Sequence, residues 1–404
     1  MSGHLRPDVR RMLVASACFG AVTGVFYASL NNYLAEVHDF GTEMRGWLEF
    51  PRELPGFLVV FVIGALVVRF RETRLLALAA LVTAAGALGT AFLSPVNALV
   101  VGWIFLWSLG DHMNFALSGA VGLKLALRGG EGRRLGQFGA ATNVGVLVGA
   151  GGVFLLARLF GDRYRLFFAL AALCAVASSW LFTRLQVDRG DPPSRRLVLR
   201  REYGIFYAIS ALFGIRKQLF YVFGSWVLIQ RHGVSVATIA SLFFLGAGLG
   251  VVLRPLLGDV IDWVGERLVL AVDEVLLIAI CLSYAFANDL LPDPWDLRLL
   301  FGAYILDQTL FGLRVARTTY LKKIAVDPAD ITATMSVGQG VDHIVAMTLP
   351  ILSGYLWTSL NFRWVFLLAA AIALAGFFVC LRIRVPDAPG AAEGDARARG
   401  DATG

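Results

Sequence analysis

Residues 234–288 read VSVATIASLFFLGAGLGVVLRPLLGDVIDWVGERLVLAVDEVLLIAICLSYAFAN, two apolar runs joined by a short polar turn. Each run is about as long as the ~20 apolar residues that an α-helix needs to cross a bilayer. The whole chain of 404 residues is 57% apolar and 16% charged, with a mean hydropathy of +0.70. Soluble domains average about 45–50% apolar and about 25% charged residues. The composition therefore excludes an ordinary soluble enzyme and indicates a membrane protein with many spans.

Twelve apolar runs of this kind occur along the chain. They are continuous rather than alternating, which excludes a transmembrane β-barrel. Helix is the structure that satisfies its own backbone hydrogen bonds in lipid. We therefore predict an all-α membrane protein with twelve transmembrane helices in two pseudo-symmetric six-helix bundles. The predicted spans are 12–36, 46–69, 74–93, 96–124, 135–160, 164–185, 203–230, 234–257, 267–288, 297–321, 333–358 and 363–383.

The longest polar interruption lies near the chain midpoint and leaves six runs on each side. The residues after Pro386 are rich in Ala, Gly, Asp and Arg, a composition typical of disordered segments. The predicted organisation is a cytoplasmic N-terminal tail (1–11), an N-terminal bundle (12–185), a cytoplasmic linker (186–202), a C-terminal bundle (203–384) and a disordered cytoplasmic tail (385–404).

The distribution of Lys and Arg predicts the orientation. The formal net charge is +7, and the basic residues cluster in the linker, in the tails and in alternate short loops. An excess of basic residues marks the cytoplasmic side of a membrane protein. We therefore expect both termini to be cytoplasmic and the protein to be a multi-pass monomer of the inner membrane. Because the charge follows topology, we expect no nucleic-acid partner.

The two halves carry the same residue types at corresponding positions of their predicted cytoplasmic loops. Gly258 follows Gly64 by 194 positions, and Lys322 follows Lys124 by 198 positions. Paired repeats with a binding site between them are typical of secondary transporters. In residues 10–385 the chain resembles the major facilitator superfamily, whose loop pattern is G-x-x-x-D-[RK]-x-G-[RK]-[RK].

The second-half loop carries the most specific part of this resemblance. It keeps Gly258, Asp262, Gly265 and Arg267, whereas the family's helix-four arginine is absent. The resemblance implies an alternating-access carrier with a cavity between the bundles. It also implies that these four residues form a cytoplasmic latch, in which Gly258 allows close helix approach. The alternative is a turn whose basic residues only set the topology.

Ionisable residues inside the apolar runs are the strongest functional signal, because inserting each costs about 2.5–3.5 kcal/mol. Asp111 and His112 lie near the centre of run four, and Asp342 and His343 lie near the centre of run eleven. Carboxylates and imidazoles at this depth form proton relays. We predict that these four residues couple transport to protons. The alternative is an aspartate that neighbouring helices hold by hydrogen bonds.

Run two begins with three further charges. Glu49, Arg52 and Glu53 have the spacing i, i+3, i+4, which places them on one helical face. We predict an outer gate at these residues. The alternative is a first turn at the membrane interface, in which Arg52 pairs with both glutamates.

The remaining polar residues of the runs form the predicted substrate site. A guanidinium there could hold a carboxylate or phosphate, or it could pair internally with an aspartate. Five central acids balance five central bases, and we expect these groups to surround one aqueous vestibule. The predicted substrate-binding residues are Tyr27, Asn31, Asn114, Asn143, Arg216, Lys217, Gln218, Tyr221, Asp307, Gln308, Arg314 and Gln339.

Together these patterns predict a secondary carrier, coupled to protons, for a polar or charged small organic solute. The chain has no ATP-binding loop motif and no hydrolase or metalloprotease motif, so we expect neither cofactor nor enzymatic activity. An exporter of amphipathic drugs or toxic metabolites is an alternative. A divalent-metal carrier using Asp111, His112, Asp342 and His343 is another, and it requires at least three of these side chains to converge.

Overall fold

A computed structural model of the chain describes residues 7–127, 130–187, 199–327 and 330–384. Within these ranges the chain is built from α-helices and short turns, without a β-strand. The helices are α1 (Pro7–Glu36), α2 (Thr42–Trp47), α3 (Glu49–Arg69), α4 (Glu72–Phe92), α5 (Asn97–Lys124), α6 (Glu131–Phe160), α7 (Tyr164–Thr183), α8 (Gly204–Gln218), α9 (Ser225–His232), α10 (Val236–Val264), α11 (Glu266–Leu290), α12 (Trp295–Leu310), α13 (Arg314–Ile324), α14 (Asp330–Ser359) and α15 (Phe362–Leu381).

The all-helical membrane class predicted from the sequence is confirmed. Nine helices or continuous helical stretches of the described residues are long and apolar enough to cross a membrane, and a bent pair at residues 42–69 makes ten. The helices outside this count are α5 and α14, which carry the central Asp-His pairs. The count of twelve spans stays a prediction.

Three of the predicted runs are broken rather than straight. Run two is divided into α2 and α3 and bends by 51° between Val59 and Phe61. In run seven a π-helical segment, Leu219–Gly224, separates α8 from α9. In run ten a 3₁₀ turn, Phe311–Leu313, separates α12 from α13. Such breaks often mark functional positions or hinges. The breaks in runs seven and ten come shortly after Lys217 and Asp307, two ionisable residues of the predicted site.

Most packing occurs within each half. In the first half α1 lies on α6 and α7, and α4 lies on α5 and α7. In the second half α11 lies on α12 and α15, and α8 lies on α14. The glycines of run five explain the closest of these contacts: a Cβ added at Gly145 would stand 1.9 Å from the Ala17 carbonyl oxygen, and one at Gly149 would stand 2.2 Å from that of Ala21. Small residues let membrane helices approach closely.

The two halves meet at the predicted outer end of the helices. The short helix α2 packs against α14, where a Cβ at Gly46 would stand 2.3 Å from the Pro350 oxygen. Nearby, Trp47 Nε1 donates to the Tyr355 hydroxyl at 3.1 Å, and Trp226 Nε1 donates to the Thr42 hydroxyl at 3.1 Å. The outer end is therefore closed by direct contact.

At the predicted cytoplasmic end, polar contacts join helices of the same half. Lys124 at the end of α5 pairs with Glu72 at the start of α4 at 2.6 Å. Lys323 pairs with Glu266 at 2.7 Å at the corresponding place of the second half. The two ion pairs occupy equivalent positions of the two halves. Glu266 follows Glu72 by 194 positions, the same spacing that separates Gly64 from Gly258.

The predicted domain boundaries stay predictions. Most of the linker, residues 188–198, and the whole C-terminal tail lie outside the described residues. Helix α1 begins at Pro7, so the described part of the predicted N-terminal tail is already helical.

Candidate functional site

A buried charged network lies where α3 begins. Glu49 is 0% exposed, Glu53 is 2% exposed and Arg52 is 6% exposed. Arg52 donates from Nε to Glu49 Oε2 at 2.7 Å and from Nη2 to Glu53 Oε1 at 2.5 Å. The pairing of Arg52 with both glutamates, the sequence alternative for this stretch, therefore occurs. It occurs among buried side chains of the protein interior.

The network continues toward the outer end through Arg45, which the sequence analysis missed. Arg45 Nη1 donates to Glu49 Oε1 at 2.6 Å, and its Nε donates to Asn31 Oδ1 at 2.7 Å. Asn31 in turn donates to the Ser225 hydroxyl at 2.5 Å and to the Tyr221 carbonyl at 3.0 Å. Predicted to contact substrate, Asn31 instead belongs to the outer closure between α1 and the broken run seven.

The same network crosses from the first half to the second through α8. Gln218 Nε2 donates to Glu49 Oε2 at 2.8 Å, and Arg52 Nη2 donates to Gln218 Oε1 at 3.2 Å. The next side chain, Lys217, lies 3.5 Å from Glu53 Oε2 and 3.4 Å from Asp342 Oδ2. Lys217 and Gln218, both predicted to contact substrate, therefore bind the charges of α3.

Two imidazole side chains also lie beside the Glu53 carboxylate. His343 Nδ1 lies 2.8 Å from Glu53 Oε2, and His112 Nε2 lies 4.0 Å from the same oxygen. The two imidazole rings stand edge to face with their centroids 5.0 Å apart. Gly56 permits this, since a Cβ there would stand 2.4 Å from an atom of each ring. Two histidines that belong to different halves thus meet over one carboxylate.

This arrangement bears on the metal alternative. Glu53, His112 and His343 offer ligand atoms within 4.8 Å of one another. The convergence differs from the predicted set, since Glu53 replaces Asp111 and Asp342. Arg52 and Lys217 already contact the Glu53 carboxylate. Their positive charges oppose a further cation at that oxygen pair, so these contacts disfavour a metal ion there.

The two predicted Asp-His pairs are split by helix geometry. Adjacent residues of a helix project about 100° apart. Asp342 faces Lys217 and places its second oxygen against Gly214, where an added Cβ would stand 2.5 Å from it. Asp111 lies apart from this network and accepts one hydrogen bond, from the Thr23 hydroxyl at 3.5 Å.

A second charged cluster is buried inside the C-terminal half. Arg216 Nη1 donates to both carboxylate oxygens of Asp273, at 2.5 and 2.6 Å, and its Nη2 lies 3.2 Å from Asp307 Oδ1. Glu274 lines a small crevice beside Arg216. Arg216 and Asp307, predicted to contact substrate, are therefore engaged with each other and with Asp273.

These contacts change the predicted vestibule. The sequence predicted that the central charges surround shared water. In the described residues Glu49, Arg52, Glu53, Arg216 and Asp307 are instead paired within packed helices, each at most 6% exposed. The predicted equality of central acids and central bases also changes. One further base, Arg45, and two further acids, Asp273 and Glu274, lie among the central charges.

The remaining predicted substrate residues differ in their surroundings. The Tyr27 and Tyr221 rings stack with centroids 4.9 Å apart. Gln308 is buried against Gly246. Asn143 and Gln339 are half-buried. Half-buried Asn114 has an Oδ1 atom that meets no hydrogen-bond donor among the described residues. The Arg314 side chain lies outside the described part of the chain.

The predicted latch residues make few contacts in this conformation, and the latch stays a prediction. No atom stands within 4 Å of a Cβ built at Gly258, so this glycine is not at a close approach. Asp262 and Arg267 are exposed and make no hydrogen bond or ion pair with the described residues. Gly265 has φ +83°, a conformation that favours glycine, and separates α10 from α11. The residue that pairs here is Glu266, which the family pattern does not include.

The sequence contained a signal for most of the missed residues. Asp273 and Glu274 are ionisable residues within an apolar run, so the rule that selected Asp111 selects them too. Arg45 lies four residues before Glu49, the spacing of a helical ion pair. Thr23 and Ser225 carried no such signal, because short hydroxyl side chains are common in membrane helices.

Comparison with known proteins identifies the family. The model of the Major Facilitator Superfamily matches residues 12–314. The chain belongs to the major facilitator superfamily. This membership confirms the resemblance, the fold class and the prediction of a transporter rather than an enzyme. Among curated proteins, no sequence matches this member of the superfamily.

Solved superfamily structures share the fold at low sequence identity. A mutant of the nucleoside transporter NupG has a TM-score of 0.78 at 12% identity, with 93% of this chain and 99% of that chain covered. A bacterial homologue of the human lysosomal transporter Spinster, inward-facing and unoccupied, has a TM-score of 0.73 at 14% identity, with 96% and 100% covered. The xylose transporter XylE from E. coli, in a partially occluded inward-open conformation, has a TM-score of 0.69 at 14% identity, with 94% and 98% covered.

Proposed function

We propose that this superfamily member is a secondary active transporter that moves a polar or charged small organic solute by alternating access, coupled to protons. We further propose that it works as a monomer in the inner membrane with both termini cytoplasmic. The family and the fold support the transport class. The distribution of basic residues supports the orientation.

One observation carries the proposed coupling. Glu53, on a helix of the first half, contacts Lys217 and His343 of the second half at 3.5 and 2.8 Å. A buried charge that loses its partner is strongly destabilised. While Glu53 is ionised, separating the halves at this point is therefore costly. A proton on Glu53 removes the charge and lowers that cost.

Four helices present ionisable groups near Glu53. Arg52 precedes it on α3, His112 and Asp111 lie on α5, Lys217 lies on α8, and Asp342 and His343 lie on α14. Arg52 and Lys217 place positive charge beside this carboxylate, and Asp342 shares Lys217 with it. The proposed coupling centre is thus Glu53 with His112, His343, Lys217 and Asp342. Asp111, which the sequence analysis included, lies outside it.

The conformation fits one stage of alternating access. The outer contacts of α2 with α14 and of Asn31 with Ser225 hold the halves together on that side. At the predicted cytoplasmic side, the ion pairs remain within each half. We propose that the chain is cytoplasm-facing here, and that release of the Glu53 contacts permits the outer side to open.

Glu53→Gln in proteoliposomes tests this function. Wild-type vesicles that contain a trapped pH-sensitive dye are screened with a panel of sugars, nucleosides, peptides, amines and carboxylates for solutes that move protons. For the active solute, we expect Glu53→Gln to lose accumulation driven by a pH gradient and to keep exchange of labelled for unlabelled solute. Glu266→Gln, which removes a buried carboxylate within one half, should keep both. Gradient-driven accumulation by Glu53→Gln at the wild-type level, or wild-type transport that moves no protons, would overturn the proposal.

A further inference from the structure

We infer that Asp111, with Tyr27 and Tyr221, forms the substrate site and that it takes an organic ammonium compound with a flat apolar body. This inference names the substrate class of the proposed transporter, and so it rests on the proposed function. Its starting point is the charge that remains once the central ion pairs have been assigned.

Four central cations of the described residues are engaged by carboxylates of the protein. Arg45 and Arg52 bind Glu49, Arg52 also binds Glu53, and Lys217 lies between Glu53 and Asp342. These three cations and three carboxylates sum to zero charge. In the second half Arg216 is bound by two aspartates. A substrate anion would have to displace a carboxylate from one of these cations.

Asp111 is left without a direct cationic partner in the described part of the chain, although Arg52 is near enough for its charge to act on this carboxylate. In the described part of the chain it makes no ion pair, and the Thr23 hydroxyl at 3.5 Å is its hydrogen-bond donor. It is half-buried, whereas Glu49 and Glu53 are buried. A carboxylate inside a membrane protein is costly unless something compensates its charge. A cationic group of a substrate would supply that compensation.

The side chains around Asp111 suit the rest of an organic cation. Thr23 and Tyr27 lie one helical turn apart on α1, so Tyr27 lies on the face of α1 where Thr23 contacts Asp111. Tyr27 stacks on Tyr221 of the second half, and Tyr221 lies 5.4 Å from the Phe311 ring. These rings are half-buried and form a partly open aromatic wall. Aromatic faces attract cations and flat apolar groups.

The location agrees with a substrate site. Tyr27 lies one turn before Asn31, which takes part in the outer closure. The site thus lies directly inside that closure, and the Tyr27–Tyr221 stack joins the two halves there. Asn114, one turn from Asp111 on α5, has an Oδ1 atom that accepts no hydrogen bond from the described residues. An ammonium group can donate to this oxygen as well as to the carboxylate.

Three probes with one body and different head groups test the charge. They are 2-phenylethylamine, protonated at neutral pH, the neutral 2-phenylethanol and the anionic 3-phenylpropionate. Thermal unfolding of the purified full-length protein in detergent is measured with each probe at equal concentration. We expect the amine to raise the unfolding temperature most. Equal shifts with all three probes, a larger shift with the acid, or no shift with the amine would overturn the inference.

Variants locate the site. Asp111→Asn should weaken amine binding by about tenfold or more, since hydrogen bonds to charged groups are the strong ones. Glu274→Gln, which removes another half-buried carboxylate of the membrane region, should bind the amine like the wild type. If Asp111→Asn does not fold, Tyr27→Leu, which keeps the carboxylate and removes the ring, should also weaken binding. Amine binding unchanged in the folded variants at both positions contradicts the site.

The outcome can be separated from that of the proposed function. Binding is measured without a gradient, and Glu53→Gln should still bind the amine. Proton-coupled accumulation of a different solute would leave the proposed function standing and remove the ammonium site. Amine binding that depends on Asp111, without proton-coupled transport, would leave the site and remove the coupling.

Discussion

His343 Nδ1 and Glu53 Oε2 lie 2.8 Å apart, and this contact joins a helix of the second half to a helix of the first. Both side chains are buried, at 3% and 2% exposure. Lys217 reaches the same carboxylate oxygen from a third helix. Three helices thus meet at a single carboxylate, which makes it the place where one proton alters the attraction between the halves.

Gly56→Ala should disturb this contact selectively. The added methyl group would stand 2.4 Å from the rings of both His112 and His343 and would force them apart. We expect loss of gradient-driven transport with exchange retained. Gly64→Ala on the same helix is the matched control, because nothing stands within 4 Å of its Cβ. Alanine is the better helix former by about 1 kcal/mol, so Gly64→Ala should be neutral or stabilising. Full coupling in Gly56→Ala would refute the role given to the imidazoles.

The run-five glycines should prove structural. Gly145→Ala places a Cβ 1.9 Å from the Ala17 carbonyl oxygen, so α1 and α6 must separate. Overpacking of this kind costs typically about 1–3 kcal/mol. Gly152→Ala, on the same helix with open space around it, should cost nothing. Thermal unfolding in detergent compares the two variants, and equal unfolding temperatures would show that this close contact does not form.

Arg216 should matter for stability more than for recognition. Arg216→Met leaves Asp273 and Asp307 without their shared partner, and breaking a buried pair in this way costs about 3–5 kcal/mol. The exposed Arg267→Met should change stability by less than about 0.5 kcal/mol. Unfolding in mixed micelles with increasing denaturing detergent measures both. A stable Arg216→Met that has lost only solute binding would return Arg216 to the substrate site.

The outer loop should carry a pH-dependent contribution to stability. His38 follows α1 and lies 2.9 Å from the Tyr33 hydroxyl and 3.1 Å from Asn97 Oδ1. Burial lowers the pKa of His38 below its ordinary 6.5, while the hydrogen bond with Asn97 acts in the opposite direction. Because the unfolded chain takes up this proton first, stability should fall as the pH drops below about 6.5. His38→Gln should show a smaller loss over this window, and an identical pH profile would contradict the assignment.

The sequence identified the important side chains more reliably than it identified their partners. Glu49, Arg52, Glu53, His112, Lys217 and His343 were all selected because a charge or imidazole in an apolar run is costly. Their convergence depends on how α3, α5, α8 and α14 rotate and cross, and helical periodicity within one run does not contain that information. The burial of these charges could not be predicted for the same reason, since pairing between distant helices buries side chains that have no evident partner in the sequence.

The loop motif shows that a match to a family pattern does not by itself predict a contact. A match to the family pattern predicted close helix approach at Gly258, but no neighbour is within reach there. Glu266, a departure from the pattern, forms the buried pair with Lys323. A pattern specifies residue types along the chain, whereas a contact also requires the neighbouring helix. The repeat itself was readable, and the equivalent Glu72–Lys124 pair supports it.

The central claim is that a proton on Glu53 loosens the contact between the halves. Spin labels at Leu127 and Val326, exposed positions at the predicted cytoplasmic end of each half, report the separation of the halves when the four native cysteines are replaced by alanine. In pulsed electron paramagnetic resonance, we expect that lowering the pH shortens the distance between the labels as the outer side opens. We expect Glu53→Gln to have the short distance at every pH. Distances in wild type and Glu53→Gln that are equal, or that depend on pH in the same way, would contradict it.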